Sequence, residues 1–309
     1  MSEIIDQARR DVFKKLWKHY YDKVDDAPRI EAALRERGEH WAEDHVAFRC
    51  LPGENTGSHV LKQIFTALGY KQEDTYRFEE KKLNAFWMSP SDTSGKTWEA
   101  SPKIFISEFD PATFSEKTQK IIEKYTHQIN SNPADRITEL AGKTTAIEDV
   151  FYQELIQIAS DTLSMPPPWQ RPEFEDYKHL QTESEYAAWT LLFGTQINHF
   201  TVSVQDLNSF STILELYKFL EAQLGIKMNA SGGAVKGTKD NMLEQISTMA
   251  VKLPYLFQGK TENVPYGFVE FAYRYPKPGC TADSKWNSYY QGFVPANANK
   301  IFESTFTKQ

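Results

Sequence analysis

Two cysteines, Cys50 and Cys280, are all that the 309 residues contain, and no CxxC pair occurs. A disulfide framework is therefore excluded, and the composition suits a reducing compartment. No run of about 18 apolar residues is present, which argues against a helical membrane span. Basic stretches that could follow a phosphate backbone are missing, and the net charge is −7, so nucleic acid is not an expected partner. The opening segment MSEIIDQARRDVFKKLWKHYYDKV carries charge throughout and lacks the apolar centre of a signal peptide. A cytoplasmic location is the expectation. No low-complexity tail occurs, and the one linker-like stretch, Pro166 to Pro172, is short.

Aromatic residues, by contrast, are plentiful: 20 Phe, 15 Tyr and 7 Trp, enough to build a large core or to close a pocket from water. Residues 3–36 read as two helices with a break at Asp26 to Pro28, the first marked by Phe13, Leu16, Trp17 and Tyr20 at helical spacing. DHVAFRCL (44–51) is a short strand-like run ended by Pro52 and Gly53. A helix follows, with Val60, Leu61, Ile64, Phe65 and Leu68 on one face and Gly69 as its stop. TYRFEE, NAFWMS and KIFISEFD are then three further strands.

The same order returns later in the chain. INHFTVSV (197–204) is a strand, 209–224 is a helix, and strand-like segments lie near 243–253 and in YGFVEFAYRY (266–275). DHVAF resembles NHFTV, and FISEF (105–109) resembles GFVEF (267–271), which pairs Glu108 with Glu270. The His45–Glu108 spacing is 63 residues and the His199–Glu270 spacing is 71. These are the marks of a degenerate repeat of two βαβββ modules. The expected organisation is N-terminal helices over 1–40, then one domain over 41–305. That domain comprises module one (41–110), a helical insert (111–195) and module two (196–280), with 281–309 as a C-terminal segment. Within the insert, Ile147, Val150, Phe151, Leu155 and Ile158 mark a helix ending at Ser164, and Thr182 with Glu185 has capping-box spacing.

His45 and His199 occupy the first strand of their modules, preceded by Asp44 and Asn198. Strand alternation puts His45, Ala47 and Arg49 on one face, and His199, Thr201 and Ser203 on another. Glu270 lies in the apolar strand GFVEFAYR. Burying such groups is costly unless they bind something together. Two imidazoles and a carboxylate can occupy one face of a metal ion and leave up to three positions open, as in non-heme Fe(II) oxygenases. The composition alone does not choose iron over zinc, manganese or nickel. The alternative is a pair of core histidines and a sheet carboxylate paired with Arg274. Arg49, about 13 Å along the strand from His45, carries a planar fork suited to a carboxylate. Its alternative is an ordinary ion pair. Gly232, Gly233 and Gly237 suggest a mobile loop, Lys236 could meet an anion, and Gln245 and Ser247 could bond a metal-bound ligand. His19, His40, His59, His127 and His179 read as bystanders, and Glu108 as a relic or neighbour of the site.

DHVAFR, NHFT, SGGAVKG with LEQISTMA, and GFVEFAYR together resemble the 2-oxoadipate dioxygenase/decarboxylase (hydroxyglutarate synthase) family over residues 40–305. The resemblance implies an α+β, vicinal-oxygen-chelate-like fold, its two modules forming a curved mixed sheet around a metal. It implies Fe(II) on His45, His199 and Glu270, substrate on Arg49, and no catalytic residue beyond the ligands. The implied reaction takes 2-oxoadipate, or a related 2-oxo acid, with O₂ to 2-hydroxyglutarate and CO₂ in lysine breakdown. The better-known bacterial members are longer, with pocket residues from C-terminal sequence for which this chain is expected to have no counterpart. Two other readings remain: a glyoxalase-type isomerase or lyase with a fourth protein ligand, and a non-catalytic small-molecule binding protein.

Overall fold

The computed structural model describes residues 2–141 and 148–306. Helices α1 (Ser2–Tyr21) and α2 (Asp26–Glu36) lead into the first module: β1 (Glu43–Cys50), α3 (Ser58–Ala67), β2 (Lys71–Phe78), β3 (Leu83–Ser89) and β4 (Lys103–Phe109). The insert is α4 (Glu116–Thr126), α5 (Asp135–Ala141), α6 (Glu148–Ser164), α7 (Phe174–Glu183) and α8 (Glu185–Phe193). The second module begins with β5 (Ile197–Ser203), α9 (Ile213–Ala222), β6 (Lys236–Thr238) and β7 (Leu243–Ser247). A separate hairpin, β8 (Lys252–Leu256) with β9 (Thr261–Pro265), precedes its last strand, β10 (Phe268–Arg274). This added hairpin explains why the histidine-to-glutamate spacing is longer in the second copy. The chain closes with α10 (Pro295–Ile301) and a 3-10 turn over Phe302–Thr305.

Eight strands form one sheet in the order β2-β3-β4-β1-β5-β10-β7-β6. Within each module the first and last strands run parallel, β1 with β4 and β5 with β10. The modules meet where β1 runs antiparallel to β5, so a pseudo-twofold relates the halves. Two register shifts in β1, at Glu43/His45 and Ala47/Phe48, bend the sheet there. The expected βαβββ repeat and curved mixed sheet are thus present.

Both central strands are buried on both faces. On one face Phe200 packs under Trp17 and Trp41, with ring centroids 4.3 and 5.5 Å away, and Phe48 meets Phe65 of α3 at 5.3 Å. Phe200 is fully buried, which contributes roughly 2–3 kcal/mol. The Tyr20 hydroxyl donates to the Phe268 carbonyl and ties α1 to β10. The N-terminal helices therefore cover the sheet face that carries Phe200, opposite in pleat to His199. Two local expectations need correction. The break between the first helices falls at 22–25, because Pro28 is tolerated in the first turn of α2, where no hydrogen bond is lost. The cap of α8 is Ser184, whose hydroxyl accepts from the Ala187 amide, in place of Thr182. Ile147 lies outside the described residues.

Candidate metal centre

The seam between the modules brings β1, β5 and β10 side by side. Register places Ala47 opposite His199, and Thr201 opposite both His45 and Glu270. Donor atoms of His45, His199 and Glu270 lie within 4.8 Å of one another. Glu270 approaches His199 Nε2 at 3.2 Å through Oε2 and His45 Nε2 at 3.7 Å through Oε1. All three side chains are buried. The Nδ1 atoms face oxygen acceptors, Asp44 Oδ1 at 2.7 Å from His45 and Asn198 Oδ1 at 3.0 Å from His199. Each acceptor keeps the ring proton on Nδ1 and turns the Nε2 lone pair toward the centre.

Burial sets the charge states. It pushes His45 down to about 4 against the pull of Asp44, and it holds His199 well below the imidazole range with help from His45 and Arg49. It pushes Glu270 up to about 8, opposed by the bond from Gln245. Arg274, the partner of Glu270 in the alternative reading, pairs with Asp44 at 2.6 Å instead. Among the described residues no lysine or arginine lies within ion-pair distance of Glu270. Two neutral imidazoles and an oxygen donor without a cationic side chain beside it are a donor set that fits a divalent cation.

The repeat supplies a fourth corner. In β10, Glu270 stands opposite the residue two beyond His199; in β4, the residue opposite the one two beyond His45 is Phe105. Phe105, not Glu108, is the counterpart of Glu270, and it lines the cavity between the ligands. Glu108 is three residues further on, so its side chain leaves the other face of the sheet. There it accepts from the Ser58 amide at 2.6 Å, at the start of α3, where a carboxylate is favoured.

The cavity beside the three candidate ligands measures ≈ 20 Å³ and is lined by Phe105, Phe293, Ile301 and Phe302. Its C-terminal wall comes from this chain's own α10 and the turn after it. Beyond Phe302 lies a cleft of ≈ 380 Å³ whose lining includes Arg49, Tyr186 and Lys81. Arg49 is buried, with its guanidinium 4.9 Å from the Tyr186 ring, 5.1 Å from Trp189 and 5.6 Å from Phe302. Burial lowers it to about 10, which leaves it charged at neutral pH. Among the described residues its Nη atoms reach only Thr305 Oγ1, at 3.3 and 3.4 Å, and Nε has no partner. An ordinary ion pair is not what holds Arg49.

The remaining three predicted residues are placed differently. Gln245 lines the cavity and donates from Nε2 to Glu270 Oε1 at 2.5 Å, while its own oxygen accepts from Asn297 at 3.0 Å. Lys236 turns its ammonium to the carbonyls of Asn229 and Ala234. Ser247 bonds Ser304 at 2.9 Å and so anchors the C-terminal turn. Gly237, at φ +86°, belongs to this packing, since a Cβ there would fall 2.2 Å from the Leu243 oxygen and 2.3 Å from Asn297 Nδ2. Sequence reading missed Phe105, Phe293, Phe302 and Asn297. Counting two residues along the parallel partner strand would have found Phe105, but nothing in the local text marks the other three.

Comparison with known proteins points one way. The family model for 2-oxoadipate dioxygenase/decarboxylase matches residues 9–277. A rice chloroplastic/amyloplastic 2-oxoadipate dioxygenase/decarboxylase is 33% identical over 315 residues, covering 98% of this chain and 80% of that protein. The crystal structure of rice hydroxyglutarate synthase in complex with 2-oxoadipate superposes with a TM-score of 0.81 at 32% identity, over 99% of this chain and 94% of that one. A protein of Ralstonia eutropha assigned to the glyoxalase superfamily shares the fold at a TM-score of 0.73 and 20% identity, over 93% and 85% of the two chains.

Proposed function

The chain belongs to the 2-oxoadipate dioxygenase/decarboxylase family, and from that premise we propose that it converts 2-oxoadipate and O₂ to 2-hydroxyglutarate and CO₂, using Fe(II) held by His45, His199 and Glu270. Both atoms of O₂ appear in the products, so no further reductant is required. The observation that carries the reading is the ligand corner occupied by Phe105: among the described residues, three protein donors on one side and no fourth. A glyoxalase-type isomerase would call for that fourth ligand, and Glu108 is turned away to the start of α3.

Bound iron would supply the redox chemistry with O₂ that protein side chains do not offer. The residues around it prepare the site. Asp44 and Asn198 hold protons on the two Nδ1 atoms, and Gln245 fixes one oxygen of Glu270. The rings of Phe105, Phe293 and Phe302 keep water away from the reacting atoms. A cavity of ≈ 20 Å³ has room for about one water, so the six-carbon substrate displaces Phe302 and extends toward Arg49. Arg49 then receives the distal carboxylate, its unpartnered Nε included, and fixes which end of the substrate meets the ligands.

Metal-free protein reconstituted without oxygen with Fe(II), Zn(II), Mn(II) or Ni(II) tests the assignment. O₂ uptake on 2-oxoadipate is expected with Fe(II) alone; conversion of 2-oxoadipate to an isomer with Zn(II), with no O₂ consumed and no CO₂ released, would move the reading to the isomerase. Phe105→Glu gives the matching structural prediction. It should bind divalent metal at least as tightly as the parent, yet lose O₂ uptake by about 100-fold or more, because a fourth ligand fills a substrate position. Unchanged turnover in that variant would show that Phe105 does not face the metal.

A further inference from the structure

The two histidines are held by non-equivalent partners. His199 bonds Asn198, whose Nδ2 has no partner of its own among the described residues. His45 bonds Asp44, and behind Asp44 stands a buried pair of cations. Arg274 grips it with Nε on Oδ2 at 2.6 Å and Nη2 on Oδ1 at 3.0 Å, and Lys103 Nζ reaches Oδ2 at 3.2 Å. The cations are fixed in turn by the 290–292 segment: Arg274 Nη1 donates to the Gly292 carbonyl at 2.7 Å and the Tyr290 carbonyl at 3.1 Å, and Lys103 donates to Gln291 Oε1 at 2.9 Å. Asp44, Lys103 and Arg274 are all buried.

Nothing in the sheet itself calls for this arrangement. By the register that relates Glu270 to Phe105, the counterpart of Lys103 is Phe268 and that of Arg274 is Phe109. Module two thus meets the same need with an amide and an aromatic ring, Phe268 stacking on His199 at 4.6 Å. A buried ionic cluster seldom stabilises a fold more than apolar packing of the same volume would. Its presence at one histidine and not at the other points to a role at the ligand.

We propose that Asp44 is a positioning residue for the metal centre, clamped by Arg274 and Lys103 so that its carboxylate fixes the ring of His45 and makes it the stronger donor of the two histidines. A carboxylate accepting from Nδ1–H raises the electron density at Nε2, and a clamped carboxylate also fixes the ring's direction. Arg274 lies on the same strand as Glu270, so one rigid element sets both ligands. The clamp also ties down the segment that carries Phe293, whose ring meets His45 edge-on at 4.8 Å. The inference rests on the metal reading above.

The test uses Co(II) as a spectroscopic probe, with affinity measured by chelator competition and ligation by the paramagnetically shifted imidazole N–H resonances. Parent protein should show two such resonances, and His199→Ala should lose one of them together with tight binding. If the parent binds no Co(II), the metal reading fails, whatever Asp44 does. Asp44→Asn should weaken Co(II) binding by about 10- to 100-fold and shift or broaden one N–H resonance while leaving the other in place. That variant leaves two buried cations uncompensated, so Asp44→Asn combined with Lys103→Met, which restores the buried net charge, guards against simple unfolding. The double variant should fold and still show the weakened affinity and the single displaced resonance. Parent-like affinity with both resonances unmoved in the folded double variant would overturn the proposal and leave the cluster a structural ion pair.

Discussion

Glu270→Gln is expected to abolish O₂ consumption on 2-oxoadipate and, in metal-free protein, to raise stability. Glutamine keeps the shape and can still accept from Gln245 Nε2, but it removes the one carboxylate among the three candidate ligands. The stability gain follows from linkage. Burial lifts the Glu270 carboxyl from 4.5 to about 8, so the folded metal-free chain retains a proton that the unfolded chain releases. The stability associated with that protonated carboxyl is complete below about 4.5 and is lost as pH rises toward 8. Near pH 7 the variant should therefore gain roughly 3 kcal/mol over the metal-free parent. Metal reverses the ranking, since a cation at about 1,000 times its dissociation constant stabilises the parent alone by about 4.1 kcal/mol. Urea denaturation with chelator and with excess metal checks both halves. A variant less stable than the parent under chelator would mean that Glu270 has a stabilising partner in the fold and is not waiting for a cation.

Arg49→Met should lower kcat/KM for 2-oxoadipate by roughly 100- to 1000-fold, the effect of about 3–4 kcal/mol when a buried charged pair loses one member. Stability should change little, because among the described residues Arg49 has no ion pair to lose and its guanidinium packs among Tyr186, Trp189 and Phe302. The discriminating comparison is with 2-oxohexanoate, which has the same chain length and no distal carboxylate. The parent should prefer 2-oxoadipate strongly, and the variant should turn over the two acids at similar low rates. Arg49→Lys should recover part of the loss but not all of it, since an ammonium cannot make the paired bonds of the fork. A variant that keeps the parent's preference would place the distal carboxylate elsewhere, with Lys81 in the outer cleft as the next group to examine.

The sequence made the candidate metal residues legible because two physical signals agreed. Strand alternation put His45 and His199 on matching positions of a repeated order of elements, and a carboxylate in an otherwise apolar strand had to be satisfied by something. The same reasoning slipped where it relied on local text. FISEF and GFVEF look alike, yet backbone pairing, which aligns Phe105 with Ala47 and Glu270 with Thr201, sets the equivalence three residues away. A shift of an odd number of residues changes the face, and so Glu108 ended at a helix start instead of in the site. Lys236, Gln245 and Ser247 were noticed by face and spacing, but what each side chain meets depends on α10 and the final turn. No pattern in the sequence fixes how that segment folds back. The Arg274–Asp44 pairing spans 230 residues and was likewise out of reach of local inspection.

The central claim is that this chain couples oxygen consumption to decarboxylation of a 2-oxo dicarboxylic acid at one metal. It is tested most directly by measuring O₂ consumed, CO₂ released and 2-hydroxyglutarate formed in the same vessel, with Fe(II)-loaded parent and His199→Ala side by side. The account predicts a 1:1:1 stoichiometry in the parent and none of the three changes in the variant. Product without O₂ uptake, O₂ uptake without CO₂, or full activity in His199→Ala would contradict it.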